Sequence, residues 1–97
     1  MAIVRVFTVT VADCDIAEFE ASFSTISLGL VKSSPGCSSV QILKPTKYTP
    51  RDYAMISEWE SEAALEAFAH GEWNNAVIPK GMEHLIESCD VSHFIAW

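Results

Sequence analysis

Residues 53–71, YAMISEWESEAALEAFAHG, change hydrophobic period half-way along, and that change decides the fold. Up to Trp59 the period is two: Tyr53, Met55 and Trp59 fall on one face of an extended chain, Ala54 and Ile56 on the other. From Ser61 the period lengthens to three or four, and Leu65, Phe68 and Ala69 form a single stripe. Ser61 has the side chain of an N-cap, and Glu62 stands where the positive end of a helix dipole favours an acid. Gly71 closes the helix. The stretch is a strand that runs directly into an amphipathic helix. The following EWNNAVIP, residues 72–79, predicts one short helical turn over Glu72 to Ile78 before Pro79 ends it.

The same unit occurs once upstream. IVRVFTVTVA, residues 3–12, is almost entirely strand-forming, with Ile3, Phe7, Val9 and Val11 on one face and Val4 and Val6 on the other. Both faces are apolar, as in a strand covered on each side. Asp15 and Glu18 have the spacing of a capping box. Ile16, Phe19, Phe23, Ile26 and Leu30 then give a wide apolar helical stripe, stopped by SSPGC at residues 33–37. A second strand is expected over about Ser38 to Lys44, a loop from Pro45 to Asp52, and the strand-helix unit above. A partly helical connection, Met82 to Leu85, leads to a last strand from about Cys89 to Trp97, with Cys89, Val91, His93, Ile95 and Trp97 on one face.

The order β-α-β-β-α-β with short connections and right-handed crossovers predicts a ferredoxin-like α+β fold, a four-stranded antiparallel sheet with both helices on one side. Helices on one side leave the other apolar face uncovered, and a second copy in a two-fold homodimer is the simplest cover.

Ninety-seven residues hold one core, so residues 1–97 form a single domain. At 49% apolar residues, with five Phe and three Trp, the chain carries more hydrophobic side chain than so small a core hides. A pocket or a subunit interface takes the surplus. The net charge is −7, and seven of the thirteen acids lie between Glu58 and Glu87, where Lys80 is the only cation. Such a surface repels phosphate backbones and anionic lipid, which argues against nucleic-acid and membrane partners. Cys14, Cys37 and Cys89 are odd in number and lack C-x-x-C spacing, which fits a reducing cytoplasm rather than a disulfide framework or zinc site. The opening residues read as a strand rather than a secretory leader, and no apolar run is long enough to span a bilayer.

VRVFTVTVAD (4–13) with EFEASF (18–23), the PGC turn (35–37) and ISEWESEAALEAF (56–68) together resemble the antibiotic biosynthesis monooxygenase (ABM) family, over essentially the whole chain. The resemblance implies a dimeric α/β barrel with a ligand pocket between sheet and helices in each subunit. It implies Phe7, Met55, Phe68 and Trp73 as pocket-lining residues. The family includes cofactor-free oxygenases of polyketide phenols, haem-degrading enzymes and proteins that process small signalling molecules. Where the haem-degrading branch has an Asn, a Trp and an axial His, this chain has Phe7, Phe68 and Ile78. Where the signal-processing branch has two His, it has Phe68 and Trp73. What remains is an apolar, aromatic pocket and an expectation of no cofactor and no metal.

A cofactor-free oxygenase needs an apolar cavity, a proton acceptor and little else. His93 stands on an otherwise apolar strand face, where burial would keep it neutral and able to accept a proton; the competing reading is a core or interface histidine. His84 lies where it could reach a pocket mouth. His70 ends the second helix and is read as structural; Tyr53 could donate a phenolic proton or be only a cross-strand aromatic. Asn74 and Asn75 could orient a ligand carbonyl or serve only as turn residues after Gly71. The motifs of phosphate loops, nucleophile elbows and His or Cys metal sites are missing from the sequence. The expected activity is oxidation of a small hydroxylated aromatic by dioxygen, with His93 or His84 as base; the alternative is a non-catalytic dimer that binds a small apolar ligand.

Overall fold

A computed structural model describes residues 2–97. Four strands, β1 (Ile3–Thr10), β2 (Cys37–Leu43), β3 (Asp52–Trp59) and β4 (Ser88–Ile95), form one sheet in the order β2-β3-β1-β4. Every neighbouring pair is antiparallel. Between β1 and β2 runs a continuous helical rod made of α1 (Ile16–Ser22), a π-helical turn (Phe23–Ser27) and α2 (Leu28–Lys32). Between β3 and β4 stand α3 (Glu62–Phe68) and a 3-10 turn, Glu83–Leu85. This is the ferredoxin-like βαββαβ arrangement.

The period-two reading of β3 holds to the residue: Tyr53, Met55, Ser57 and Trp59 are buried and alternate with half-buried Ala54, Ile56 and Glu58. Trp59 and Leu65 are completely buried, and the Trp59 ring lies 4.8 Å from that of Phe68. Each such side chain contributes about 1.5–3 kcal/mol by leaving water. Ser61 caps α3 as its sequence position predicts, its Oγ accepting from the Ala64 N–H at 3.1 Å. On the other side of the core, Phe19 stacks on Phe23 at 4.8 Å, and Tyr53 donates to Glu20 at 2.5 Å, pinning the first helix to the sheet.

Four local expectations are corrected. Asp15 makes no side-chain cap; the chain enters α1 through a 3-10 turn, Asp13–Asp15, and Glu18 faces His84 at 3.1 Å instead of reaching back to a cap. The apolar stripe of the first helix also changes register. Its buried residues are Phe19, Phe23, Ser27 and Val31, whereas Ile26 and Leu30 are 51% and 40% exposed. The π turn bonds i to i+5 and is wider than an α turn, so residues four apart stay on the sheet side through it. Buried Ser27 donates its hydroxyl to the Met82 sulfur at 3.2 Å.

Of the helical turn expected over Glu72 to Ile78 a single bond forms, from the Asn75 N–H to the Glu72 carbonyl at 3.1 Å, and no helix follows. In a helix the Trp73 and Asn75 carbonyls would accept from residues 77 and 79, but residue 79 is a proline without an N–H. Both carbonyls accept from Arg5 instead. Finally, β4 ends at Ile95, so Trp97 lies beyond the strand and is fully exposed; Ile95, facing the helix side, is 58% exposed because β4 is an edge strand.

Candidate functional site

The register of the sheet sets one row across its helix-facing side: Val40 opposite Ser57, Ser57 opposite Arg5, Arg5 opposite His93. The next row holds Ile42, Met55, Phe7 and Val91. Above these two rows the sheet and helical layers do not quite close. A cavity of about 30 Å³ remains, walled by Phe7, Met55, Phe68, Val77 and Ile78, with Arg5, Ser27 and Ser57 as its polar residues. That is room for about two waters and not for a substrate-sized molecule. Leu30, Phe68 and Val77 also line an open groove of about 400 Å³ between the end of α2 and the α3 face. The same three residues line both spaces.

Arg5 is the unusual member. It is 3% exposed, on the central strand, among apolar neighbours. Its Nη1 donates to the Trp73 carbonyl at 2.6 Å and lies 3.0 Å from His93 Nε2; its Nη2 donates to the Asn75 carbonyl at 2.5 Å. The guanidinium also lies 5.6 Å from the centre of the Phe68 ring. Burial lowers the Arg5 pKa from its usual range, yet a guanidinium stays protonated at neutral pH. Because it can only donate, His93 Nε2 is the acceptor and the imidazole proton is assigned to Nδ1. Desolvation, helped by the Arg5 charge, holds the His93 pKa below its ordinary value, so the ring is neutral at pH 7. The His93 ring packs at 5.4 Å against Trp73.

The family model described as Antibiotic biosynthesis monooxygenase matches residues 2–75. The chain belongs to that family. Among curated protein sequences none matches it. Solved structures do. A protein of Pseudomonas aeruginosa superposes with a TM-score of 0.76 at 18% identity, over 99% of this chain and 94% of that one. SnoaB, a cofactor-independent oxygenase from Streptomyces nogalater, gives 0.74 at 19% identity, over 98% and 92%. MhuD, crystallised as a mutant with two manganese protoporphyrin IX molecules per active site, gives 0.73 at 26% identity, over 97% and 93%. The first two likenesses, below 25% identity, concern the fold alone.

Of the residues that the ABM resemblance and the sequence pattern single out, Phe7, Met55 and Phe68 meet in the cavity wall. Trp73 approaches through its backbone: its carbonyl holds Arg5 while its ring lies against His93. Asn74 is exposed and outside the cavity wall; its neighbour Asn75 holds Arg5 with its carbonyl and donates its side-chain amide to the Ala69 carbonyl at 3.4 Å. His93 stands behind Arg5 rather than in the cavity wall. His84 is exposed on the 3-10 turn, 3.1 Å from Glu18. His70 lines the open groove and takes a left-handed conformation, φ 56°, where α3 ends. The residue that sequence reasoning passed over is Arg5. Its signal was parity: residues 3, 5, 7 and 9 share a strand face, and only the second is charged.

Proposed function

We propose that the chain is an ABM-type monooxygenase that oxidises a small hydroxylated, polyketide-like aromatic with dioxygen, without a cofactor, in the pocket between sheet and helices. The observation that supports this most is the apolar cavity in a chain of this family, which shares Leu30, Phe68 and Val77 with an open groove; displacement of those three side chains would join the two. SnoaB, the S. nogalater neighbour, is a cofactor-independent oxygenase. The reaction asks little of the protein. The ionised hydroxyl compound gives an electron to dioxygen, the radical pair joins as a peroxide, and loss of water leaves a quinone. One oxygen atom stays on the ring and the other leaves in water, so a naphthol plus dioxygen gives a naphthoquinone plus water.

His93 and His84 enter the proposal differently. His93 accepts the substrate proton once the guanidinium releases Nε2, whereas His84 acts only from the groove mouth, after leaving Glu18. Haem fits poorly, although MhuD carries a porphyrin. Haem-degrading chemistry needs an axial imidazole or equivalent. Among the residues lining the cavity only the Met55 and Met82 thioethers approach that role, and Met82 is engaged by Ser27; the His70 imidazole lines the open groove and not the cavity. For the partner, the sheet face away from the helices carries half-buried Val4, Val6 and Ile56 beside Phe94 and Leu43, which are 57% and 37% exposed. A second copy in a homodimer would cover it. No helix among the described residues is long and apolar enough to cross a membrane, and the three cysteines are free, which suits a reducing cytoplasm.

The test is oxygen uptake by the purified protein with anthrones, naphthols and hydroquinones, no metal or flavin added, with His93→Ala and His84→Ala alongside. Uptake with quinone formation is the expected result. Its loss in His93→Ala but not His84→Ala locates the proton acceptor. Saturable binding of these compounds with no uptake on any of them refutes the oxygenase and leaves a small-ligand-binding dimer.

A further inference from the structure

An apolar cavity wall has no need of a guanidinium, and burying one is costly unless something compensates its charge. None of the contacts of Arg5 is an anion: they are two backbone carbonyls, a neutral imidazole and the face of the Phe68 ring. The ion pairs of the described residues involve Lys44, Arg51 and His84, all at the surface, and none includes Arg5. Three of its five N–H donors are used. The Nε–H and the second Nη2–H have no acceptor among the described residues, and Arg5 forms part of the cavity wall. A fixed cation with two unspent donors beside an apolar space is a receptor for one negative oxygen on an otherwise apolar molecule.

The rest of the guanidinium explains why the charge is held where it is. Through the Trp73 and Asn75 carbonyls it ties down the irregular segment between α3 and the Glu83–Leu85 turn, which supplies Val77, Ile78 and Pro79 to the cavity wall. That segment is bounded by Gly71 and Gly81, both with positive φ, at 90° and 95°. One side chain thus both lines the cavity and holds its cover.

We propose that Arg5 is the anion-binding, specificity-determining residue of the pocket: it receives the ionised hydroxyl oxygen of a planar aromatic, a phenolate or enolate, on its two unspent donors while the two donors given to the Trp73 and Asn75 carbonyls keep the 71–81 segment over the ligand. This rests on the reading that a hydroxylated aromatic enters the cavity. It adds that the molecule is held as its anion and that neutral analogues of the same shape are rejected. The contrast within the fold is Tyr53. Burial, with the hydrogen bond to Glu20 and its charge, pushes that phenol up to about 12. A phenol beside Arg5 shifts the other way, by about 1–3 units for a charge of opposite sign in contact.

The test is the ionisation of 1-naphthol bound under argon, read from naphtholate absorbance across pH. Wild type, Arg5→Lys and Arg5→Met are compared, and thermal melting and circular dichroism confirm that each is folded. The expected result is a bound naphthol with a pKa about 1–3 units below the free value in wild type, a smaller depression in Arg5→Lys and none in Arg5→Met. Its methyl ether binds at least tenfold more weakly. A wild-type value equal to or above that of free naphthol overturns the proposal whatever the variants do, as does the same depression in a folded Arg5→Met or the lack of saturable binding at any pH. Admitting air separates the two readings. A depressed pKa without oxygen uptake on 1-naphthol or any other compound of the panel refutes the oxygenase and keeps the anion site; uptake without a depressed pKa refutes the anion site alone.

Discussion

Gly36 is the position where one methyl group does the most harm. Its φ is 86°, and a Cβ built there lies 2.3 Å from the Cβ of Ala64 on α3. Two costs follow. A left-handed conformation costs a non-glycine residue about 1–2 kcal/mol. Forcing a methyl into a filled contact costs about 1–3 kcal/mol more. Gly36→Ala is therefore expected to lose about 2–5 kcal/mol, a large share of the stability of a domain this size. It is also expected to reach the pocket. The Gly36 carbonyl accepts from the Glu60 N–H at 2.9 Å, so this turn seats the start of α3, which carries Phe68.

The assay is urea unfolding followed by tryptophan fluorescence, with Trp59 fully buried as the reporter. Ala64→Gly and the double variant complete a mutant cycle. The double variant removes the close contact and keeps the backbone cost. It should recover about 1–3 kcal/mol relative to the sum of the single changes, even though Ala64→Gly itself costs about 1 kcal/mol in helix propensity. A Gly36→Ala loss under about 1 kcal/mol, or a coupling of zero within about 0.3–0.5 kcal/mol, refutes the reasoning. It would mean that the turn yields by shifting as a body.

Two further outcomes follow from the first helix and its anchor. Ile26→Asn, on the outward side of the π turn, should change stability by less than about 0.5 kcal/mol, while Phe23→Ala should cost about 3–5 kcal/mol; comparable losses in urea unfolding would restore the simple α-helical stripe. The hydrogen bond from Tyr53, opposed by desolvation and aided by Lys44, holds the Glu20 carboxyl below its usual pKa, so its contribution is present above the unfolded carboxylate value and fades as pH falls through the lower folded one. Tyr53 is raised, so its contribution is complete below pH 10 and lost as pH climbs towards 12. Stability measured against pH should therefore decline more gently between pH 10 and 12 in Tyr53→Phe than in wild type, and an unchanged alkaline slope refutes the assignment.

What the sequence shows of this molecule is whatever rests on neighbours in the chain. The alternation in β1 and β3 and the cap at Ser61 depend on local spacing and read directly, and they place Phe7, Met55 and Phe68 on inward faces before any packing is known. The features that elude the pattern depend on partners far away. The π turn is stabilised where Ser27 meets Met82, 55 residues on. The segment after α3 stays irregular because its carbonyls answer to Arg5, 68 and 70 residues earlier. The segment's own sequence shows that Pro79 leaves the Asn75 carbonyl without a helical donor, but not that Arg5 takes both that carbonyl and the one of Trp73.

Arg5 joins these failures to the chemistry. A charged residue at an inward strand position breaks the apolar alternation, so a pattern read for hydrophobicity discounts it as noise on a good strand. The physics points the other way. A guanidinium on the central strand is kept buried only if the fold supplies acceptors, and here it supplies a loop that would otherwise be helical and a histidine that would otherwise be free. Three departures from local rule, a charge in a strand core, an unwound segment and a histidine held neutral, are one arrangement centred on Arg5. Their convergence at the rim of the cavity is the reason to look for chemistry there, and it shifts attention from the imidazole alone to the cation that holds it.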